Sequence, residues 1–220
     1  MPFYIFGIFL NIASSGETTL ILNLFIKLII FVFIVTAALL FVLFGTAGFI
    51  VGKNPLTLLK NMMPAYITAL GTQSSAATIP VTLKQTLLND VEPSIANFVI
   101  PLCATVNLPG SIMKIVACSM AVMLMNNMPI NFSLYCGFIC MLAVIMVAAP
   151  GVPGGAIMAS IGILQSMLGF DQTMIGLMIA LHMTMDSFGT ATNVVTSGAV
   201  AVIINKIYKN DNPRQIKTQA

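Results

Sequence analysis

IANFVIPLCATVNLPGSIMKIVACSMAVMLM, residues 95–125, decides the fold. The stretch is apolar almost throughout and long enough to cross a bilayer, for which about 20 residues suffice. Yet Pro109-Gly110 stands in its middle. Proline removes a backbone donor and clashes with the preceding turn, so one continuous helix cannot run through it. A break there strands carbonyl groups at membrane depth, which is tolerated only where protein or a wet cavity covers them. The stretch therefore predicts an interrupted membrane helix, broken near Val106-Asn107-Leu108-Pro109-Gly110.

The rest of the chain agrees with a membrane setting. Hydrophobic residues make up 58% of it and charged residues only 7%, against about a quarter charged in a soluble domain. Leu20 to Val51 is nearly unbroken, with Lys27 its only charge. The net charge of +3 argues against nucleic acid as a partner. Lys206, Lys209, Arg214 and Lys217 follow the last apolar run, and positive flanks favour the cytoplasmic side, so the C-terminus is expected inside. Cys103, Cys118, Cys136 and Cys140 lie in apolar segments with no metal-ligand companions and read as small buried hydrophobes. The 16 methionines are scattered and read as packing or lipid-facing residues. Pro2 to Ala13 is apolar but too short to span, and without a basic leader or cleavage site it reads as a truncated membrane helix.

The expected order is a truncated helix over 1–16, a transmembrane helix over 18–52, and a re-entrant hairpin over 54–90 with its tip at Gly71–Ser75. The interrupted helix follows over 94–128. A second re-entrant hairpin covers 131–169, its tip Pro150-Gly151-Val152-Pro153-Gly154-Gly155. A second interrupted helix runs over 171–208, with Asp186, Gly189, Thr190, Thr192 and Asn193 at its centre, and a cytoplasmic tail closes the chain over 209–220. The two interrupted segments share a phrase, Ala104-Thr105-Val106-Asn107 and Thr190-Ala191-Thr192-Asn193. Paired, interrupted segments in matching positions mark repeat-built transporters, in which half-helix ends meet a ligand near the midplane. The fold class is thus an all-α membrane protein with an inverted repeat. Free N–H groups at such ends can hold a carboxylate without any arginine.

Ser74-Ser75-Ala76-Ala77-Thr78-Ile79-Pro80-Val81-Thr82 resembles the serine-rich first hairpin of the dicarboxylate/amino acid:cation symporters. Ala104 to Gly110 resembles that family's Asn-Met-Asp-Gly segment, Gly151 to Gly155 its second hairpin tip, and Asp186 to Asn193 its last helix. The motifs fall in the family's order, and the likeness covers the chain as the family's C-terminal half. It implies a symporter rather than an enzyme, in the cell (plasma or inner) membrane. It also implies a small-molecule substrate, a homotrimer whose scaffold helices lie outside this chain, no cofactor, and sodium or a proton as coupling ion. By the same likeness, Gln73, Ser74, Ser75, Thr105, Val152, Gly154, Asp186, Gly189, Thr190 and Asn193 would bind substrate, Asp186 through its amino group. Cys103, Thr105, Asn107, Asn193 and Ser197 would surround the cation, and the second hairpin would act as the gate.

Departures from the family pattern matter. Pro109 and Ser197 stand where the family carries sodium-binding aspartates, and hard cations favour charged oxygens. Gln73 and Gly189 stand where carriers of acidic substrates place an arginine, so a neutral or small substrate is expected rather than glutamate. Asp186 is the only carboxylate inside a clear membrane segment. It either serves the site or pairs structurally with His182 or Lys114. Lys114 either replaces a lost sodium charge or carries a coupling proton, or it snorkels or lines a water-filled vestibule. His182, one turn before Asp186, is a packing histidine or a proton relay.

Other classes fit less well. A Ser197–His182 hydrolase would need two groups roughly 20 Å apart on a continuous helix to meet. A passive channel, and a non-functional or split-gene fragment of a transporter, are the remaining alternatives.

Overall fold

The computed structural model describes Phe6, Gly7, Leu10 and residues 18–211, and the expected truncated helix over 1–16 otherwise lies outside the described residues, as does the tail beyond 211. Among the described residues the regular structure is helical. The long helix α1 (Thr18–Val51) is followed by α2 (Pro55–Thr72) and α3 (Ser75–Leu87). Then come α4 (Pro93–Val106) and α5 (Pro109–Met125), α6 (Phe132–Met146) and α7 (Gly155–Leu168), and α8 (Gln172–Thr184) and α9 (Asp186–Asp211).

Among the described residues, three stretches are long and apolar enough to cross a membrane: Phe25–Val51, Pro93–Met125 and Asp186–Asn210. The first is the most outward-facing, with Phe31, Phe33, Phe41 and Phe49 exposed along α1. On a protein in water such a face would be a liability; against lipid it is the expected surface.

Local chemistry sets the helix ends. Asn54 caps α2 by accepting the Leu56 N–H at 2.9 Å, with Pro55 at the first helical position. The turn between α2 and α3 is only Gln73 and Ser74, with Gln73 left-handed at φ 52°. Ser74 then caps α3 through the Ala77 N–H at 3.2 Å, and the two helices pack as an antiparallel hairpin. The second pair, α6 and α7, is joined by a wider tip, closed by Gly154 at φ 73°, a value that suits glycine because it has no Cβ.

The break predicted at Pro109 is present: α4 ends at Val106, and Pro109 opens α5. The last segment is also interrupted, at a single residue. Met185 alone separates α8 from α9, and Thr190 to Asn193 lie inside the continuous α9. The reason is that this phrase lacks a proline. An isolated Gly189 costs a helix only about 1 kcal/mol, which packing readily offsets.

Helix α9 is the axis of the fold and packs on α1 through α5. One core lies between it and the start of the chain, around Phe44, Leu58, Met62 and Val195. The other fills the space among α5 to α8, around Phe138, Ile157, Leu164 and Met178. Where α5 crosses α9 the backbones nearly touch: a Cβ on Gly110 would stand 2.5 Å from the Gly189 carbonyl oxygen.

At one end of the bundle a polar foot ties four segments. Lys53 reaches the Asn89 carbonyl at 3.1 Å and the Asp90 carboxylate at 2.5 Å. Asn61 donates to the Asn89 side chain, and Asn205 of α9 donates to the Asp90 carbonyl at 3.1 Å. The hydrogen bond from the Lys53 ammonium holds the Asp90 carboxyl below the usual carboxylate range. Any stability from this exposed pair is therefore present at neutral pH and fades as pH falls through that lowered value, and it is small.

The α5–α9 crossing gives a direct test. Gly110→Ala should destabilise the protein by about 1–3 kcal/mol, read as a lowered unfolding temperature in detergent. Gly45→Ala, with nothing within 4 Å of its added methyl, should be neutral or slightly stabilising.

Candidate functional site

The two hairpin tips meet each other. Ser74 donates its hydroxyl to the Gly151 carbonyl at 2.9 Å, and the Ala76 N–H points at the same oxygen at 3.3 Å. Gly151 also lies on the helix break, since a Cβ there would stand 2.7 Å from the Ala104 carbonyl oxygen. Any larger residue would push the tip away from α4.

The break is held from α9. The start of α5 has no side-chain cap of its own. Asn193 supplies one across the fold: its Oδ1 accepts the Gly110 N–H at 2.8 Å and the Ser111 N–H at 3.3 Å, while its Nδ2 donates to Ser111 Oγ at 2.8 Å. Asn107, in the break, donates to Thr196 Oγ1 at 3.0 Å and Ser197 Oγ at 3.1 Å. The Asn193 amide thus does for the broken helix what an N-cap does locally.

Asp186 opens α9 and is nearly enclosed. Its Oδ1 accepts from the Lys114 ammonium at 2.7 Å, and its Oδ2 accepts the Gly154 N–H of the second tip at 2.9 Å. The Lys114 side chain is fully buried and that of Asp186 is 5% exposed. His182 Nε2 lies 3.3 Å from the same Oδ1. The contact is close enough for charge interaction but not aligned as a hydrogen bond, so neither ring nitrogen has a hydrogen-bond partner.

These elements surround a narrow cleft, open at one side, whose wall includes Gln73, Ser75, Val152, Asp186, Thr190 and Asn193. Gln73 is steadied by donating to Ser187 Oγ at 2.8 Å. A second, narrow cavity lies behind it, with Ser75 on the shared wall and Thr82, Ala104 and Ser197 around it. Its polar lining is hydroxyl rather than carboxylate. Such a set suits a weakly held monovalent cation better than a divalent one.

The tips, the break and the start of α9 therefore converge, as repeat-built carriers require. A family model described as the sodium:dicarboxylate symporter family matches residues 1–207. The chain belongs to that family. It is 30% identical over 172 residues to human excitatory amino acid transporter 5, an alignment covering 78% of this chain and 30% of that protein. It is 30% identical over 160 residues to rat excitatory amino acid transporter 1, covering 72% of this chain and 29% of that one. A Haemophilus influenzae protein described only as a symporter is 31% identical over 209 residues, covering 94% of this chain and 47% of its own length. The chain thus spans between about a third and a half of the relatives it matches, and the family is one of transporters, not enzymes.

Most residues singled out from the sequence lie near the meeting point of the tips, the break and α9, but not all. Ser74 lies at the junction of the tips rather than on the cavity wall, and Gly154 touches the site through its N–H to Asp186. Gly189 lies under the end of Lys114. Cys103 is buried, and Asn107 and Ser197 face each other between the break and α9. Thr105 stands apart: it is exposed on α4 and its hydroxyl turns back to the Leu102 carbonyl. No Ser197–His182 dyad forms, because the Ser197 hydroxyl donates to the Asn193 carbonyl and the histidine faces Asp186. Ser111, Ser187 and Thr196 escaped the sequence reading. Only Ser111 carried a signal, as a hydroxyl directly after the Pro-Gly break.

Asn193→Ala should remove the remote cap and cost about 1–2 kcal/mol. Faster hydrogen exchange at the Gly110 and Ser111 amides, with exchange in α7 unchanged, would be its signature.

Proposed function

We propose that this chain forms the substrate-binding core of a secondary active symporter that moves a small amino acid or dicarboxylate together with a cation by alternating access. One observation carries the reading: residues of two hairpin tips and a broken helix line one cavity with the start of the last helix. Family membership supports the same activity, and the curated relatives are named as excitatory amino acid transporters and a symporter.

In this reading Gln73, Ser75, Thr190 and Asn193 contact the substrate, with the positive end of the α3 dipole toward its carboxylate. Ser197 and its neighbours on the second cavity hold the coupling ion, sodium or a proton. The absence of a carboxylate there predicts weak sodium affinity. With Gln73 and Gly189 in place of an arginine, the substrate is small rather than glutamate-like.

Both hairpins are taken as re-entrant, and the two halves as an inverted repeat. For the first hairpin, the polar foot supports this: Lys53 before α2 and Asp90 after α3 are joined at one end, so both arms start and finish on the same side. Asn205 of α9 joins that foot, and the basic residues after it put this side in the cytoplasm. The second tip, from Gly151 to Gly154, is the gate. The core then moves against scaffold helices from outside this chain, within a homotrimer in the cell membrane.

The complete natural protein, reconstituted in vesicles, should accumulate a labelled small substrate against its gradient when an inward sodium or proton gradient is applied. Equilibration without accumulation would mark a channel and sink the proposal, as would the absence of uptake from a broad panel of amino acids and dicarboxylates. Gly151→Val should slow uptake at least about ten-fold, because the tip can no longer seat against Ala104.

A further inference from the structure

We propose that Lys114 is a tethered cation that occupies the amino-group position of Asp186, so that the site selects small carboxylates lacking an α-amino group. The proposal rests on the symporter reading above and narrows it to one class of substrate.

The carboxylate of Asp186 is the one negative charge on the wall of the substrate cavity. A free carboxylate in such a place would hold the ammonium of an amino acid. Here both oxygens already have partners. Lys114 approaches Oδ1 at 2.7 Å, and the Gly154 N–H approaches Oδ2 at 2.9 Å. The ion pair is neutral as a unit, and a second ammonium on the same carboxylate would stand within a few ångströms of the first. Like charges that close, in a site with little water, repel strongly.

The lysine is not free to withdraw. Its side chain is fully buried. Its end lies flat on α9 over Gly189, where an added Cβ would come within 3.0 Å of Nζ and 3.2 Å of Cε. The lack of a side chain at Gly189 is what gives the lysine its channel from α5 to Asp186. His182, packed against the same oxygen, closes the other approach. With the charge on Asp186 cancelled, what the cavity offers a ligand is neutral: the Gln73 and Asn193 amides and the Ser75, Ser111 and Thr190 hydroxyls. Helix N-termini add partial positive charge. That set matches a carboxylate and leaves an ammonium without a counter-charge. Lys114 acts on the substrate through Asp186 and is a positioning residue.

Matched pairs that differ by the amino group make the test: propionate against alanine, and succinate against aspartate. Binding of each labelled compound to the complete purified protein, and its uptake into vesicles, are measured separately. Wild type should prefer the compound without the amino group by about ten-fold or more in binding. Lys114→Met should shift that ratio about ten-fold or more toward the amino acid, while Lys114→Arg should keep the wild-type order. Because Lys114→Met leaves a buried carboxylate unpaired and can misfold, Lys114→Met/Asp186→Asn is the companion. It should keep the preference for the compound without the amino group, since no charge remains to attract an ammonium. Equal or tighter binding of the amino acids by wild type overturns the assignment, as does a ratio unmoved in Lys114→Met. Selective binding without uphill uptake leaves the lysine assignment standing and removes the symporter reading. Binding of neither member of either pair removes both.

Discussion

A helix that ends inside an apolar layer leaves its first N–H groups and last carbonyls without partners, and each such group left bare and buried costs about 1–3 kcal/mol. Several helix ends converge near the middle of this fold, and they satisfy one another. Ser74 caps its own helix and holds the opposite tip through the Gly151 carbonyl. Asn193 caps α5 from a different helix, and Asp186 takes the Gly154 N–H. Apart from the Ser74 cap of its own helix, these bonds span separate elements, so the central region forms as a unit. The cavity is the space left between groups that are positioned by bonding to each other.

The buried Lys114–Asp186 pair belongs to the same arrangement. Such pairs lose in desolvation much of what they gain in attraction, and they are weak stabilisers on balance. Its effect here is geometric. Through the two oxygens of one carboxylate it joins α5, the start of α9 and the second tip at a single point. Breaking one partner would leave an uncompensated charge in a dry place, which is far more costly than never having the pair. The arrangement therefore tolerates conservative exchange better than deletion, and it ties the position of the tip to the electrostatics of the cavity wall.

The two interruptions are built differently. The first depends on proline: Asn107 and Leu108 leave helical geometry and Pro109 restarts it. The second is one residue, Met185, and the helix beyond it is continuous through Asn193. A wide break exposes amides that need an external cap, which Asn193 provides. A narrow break leaves Asp186 in the first turn of α9, where the positive end of the helix dipole favours a carboxylate.

Composition and punctuation were enough to read the membrane setting, the hairpin turns at Gln73-Ser74 and Gly151–Gly154, and the break before Pro109. These follow from local rules: apolar length, the missing N–H of proline, and the polar turn residues between apolar arms. The polar residues Ser75, Asp186 and Asn193 could also be singled out, because polar groups in apolar segments are costly and need a reason. What each of them touches was not legible. That Asn193 caps a helix begun more than eighty residues earlier, that Lys114 ends on Asp186 rather than reaching for water, and that Gly189 is bare because a lysine lies over it are consequences of how α5 and α9 cross. That the last segment is interrupted at Met185, and not within Thr190–Asn193, was likewise not legible, since packing against neighbouring helices outweighs a single glycine's weak preference. Sequence by itself determined where the chain must break. Only the tertiary structure decided which broken ends face one another, because long-range pairing depends on the closeness of backbones that no local pattern records.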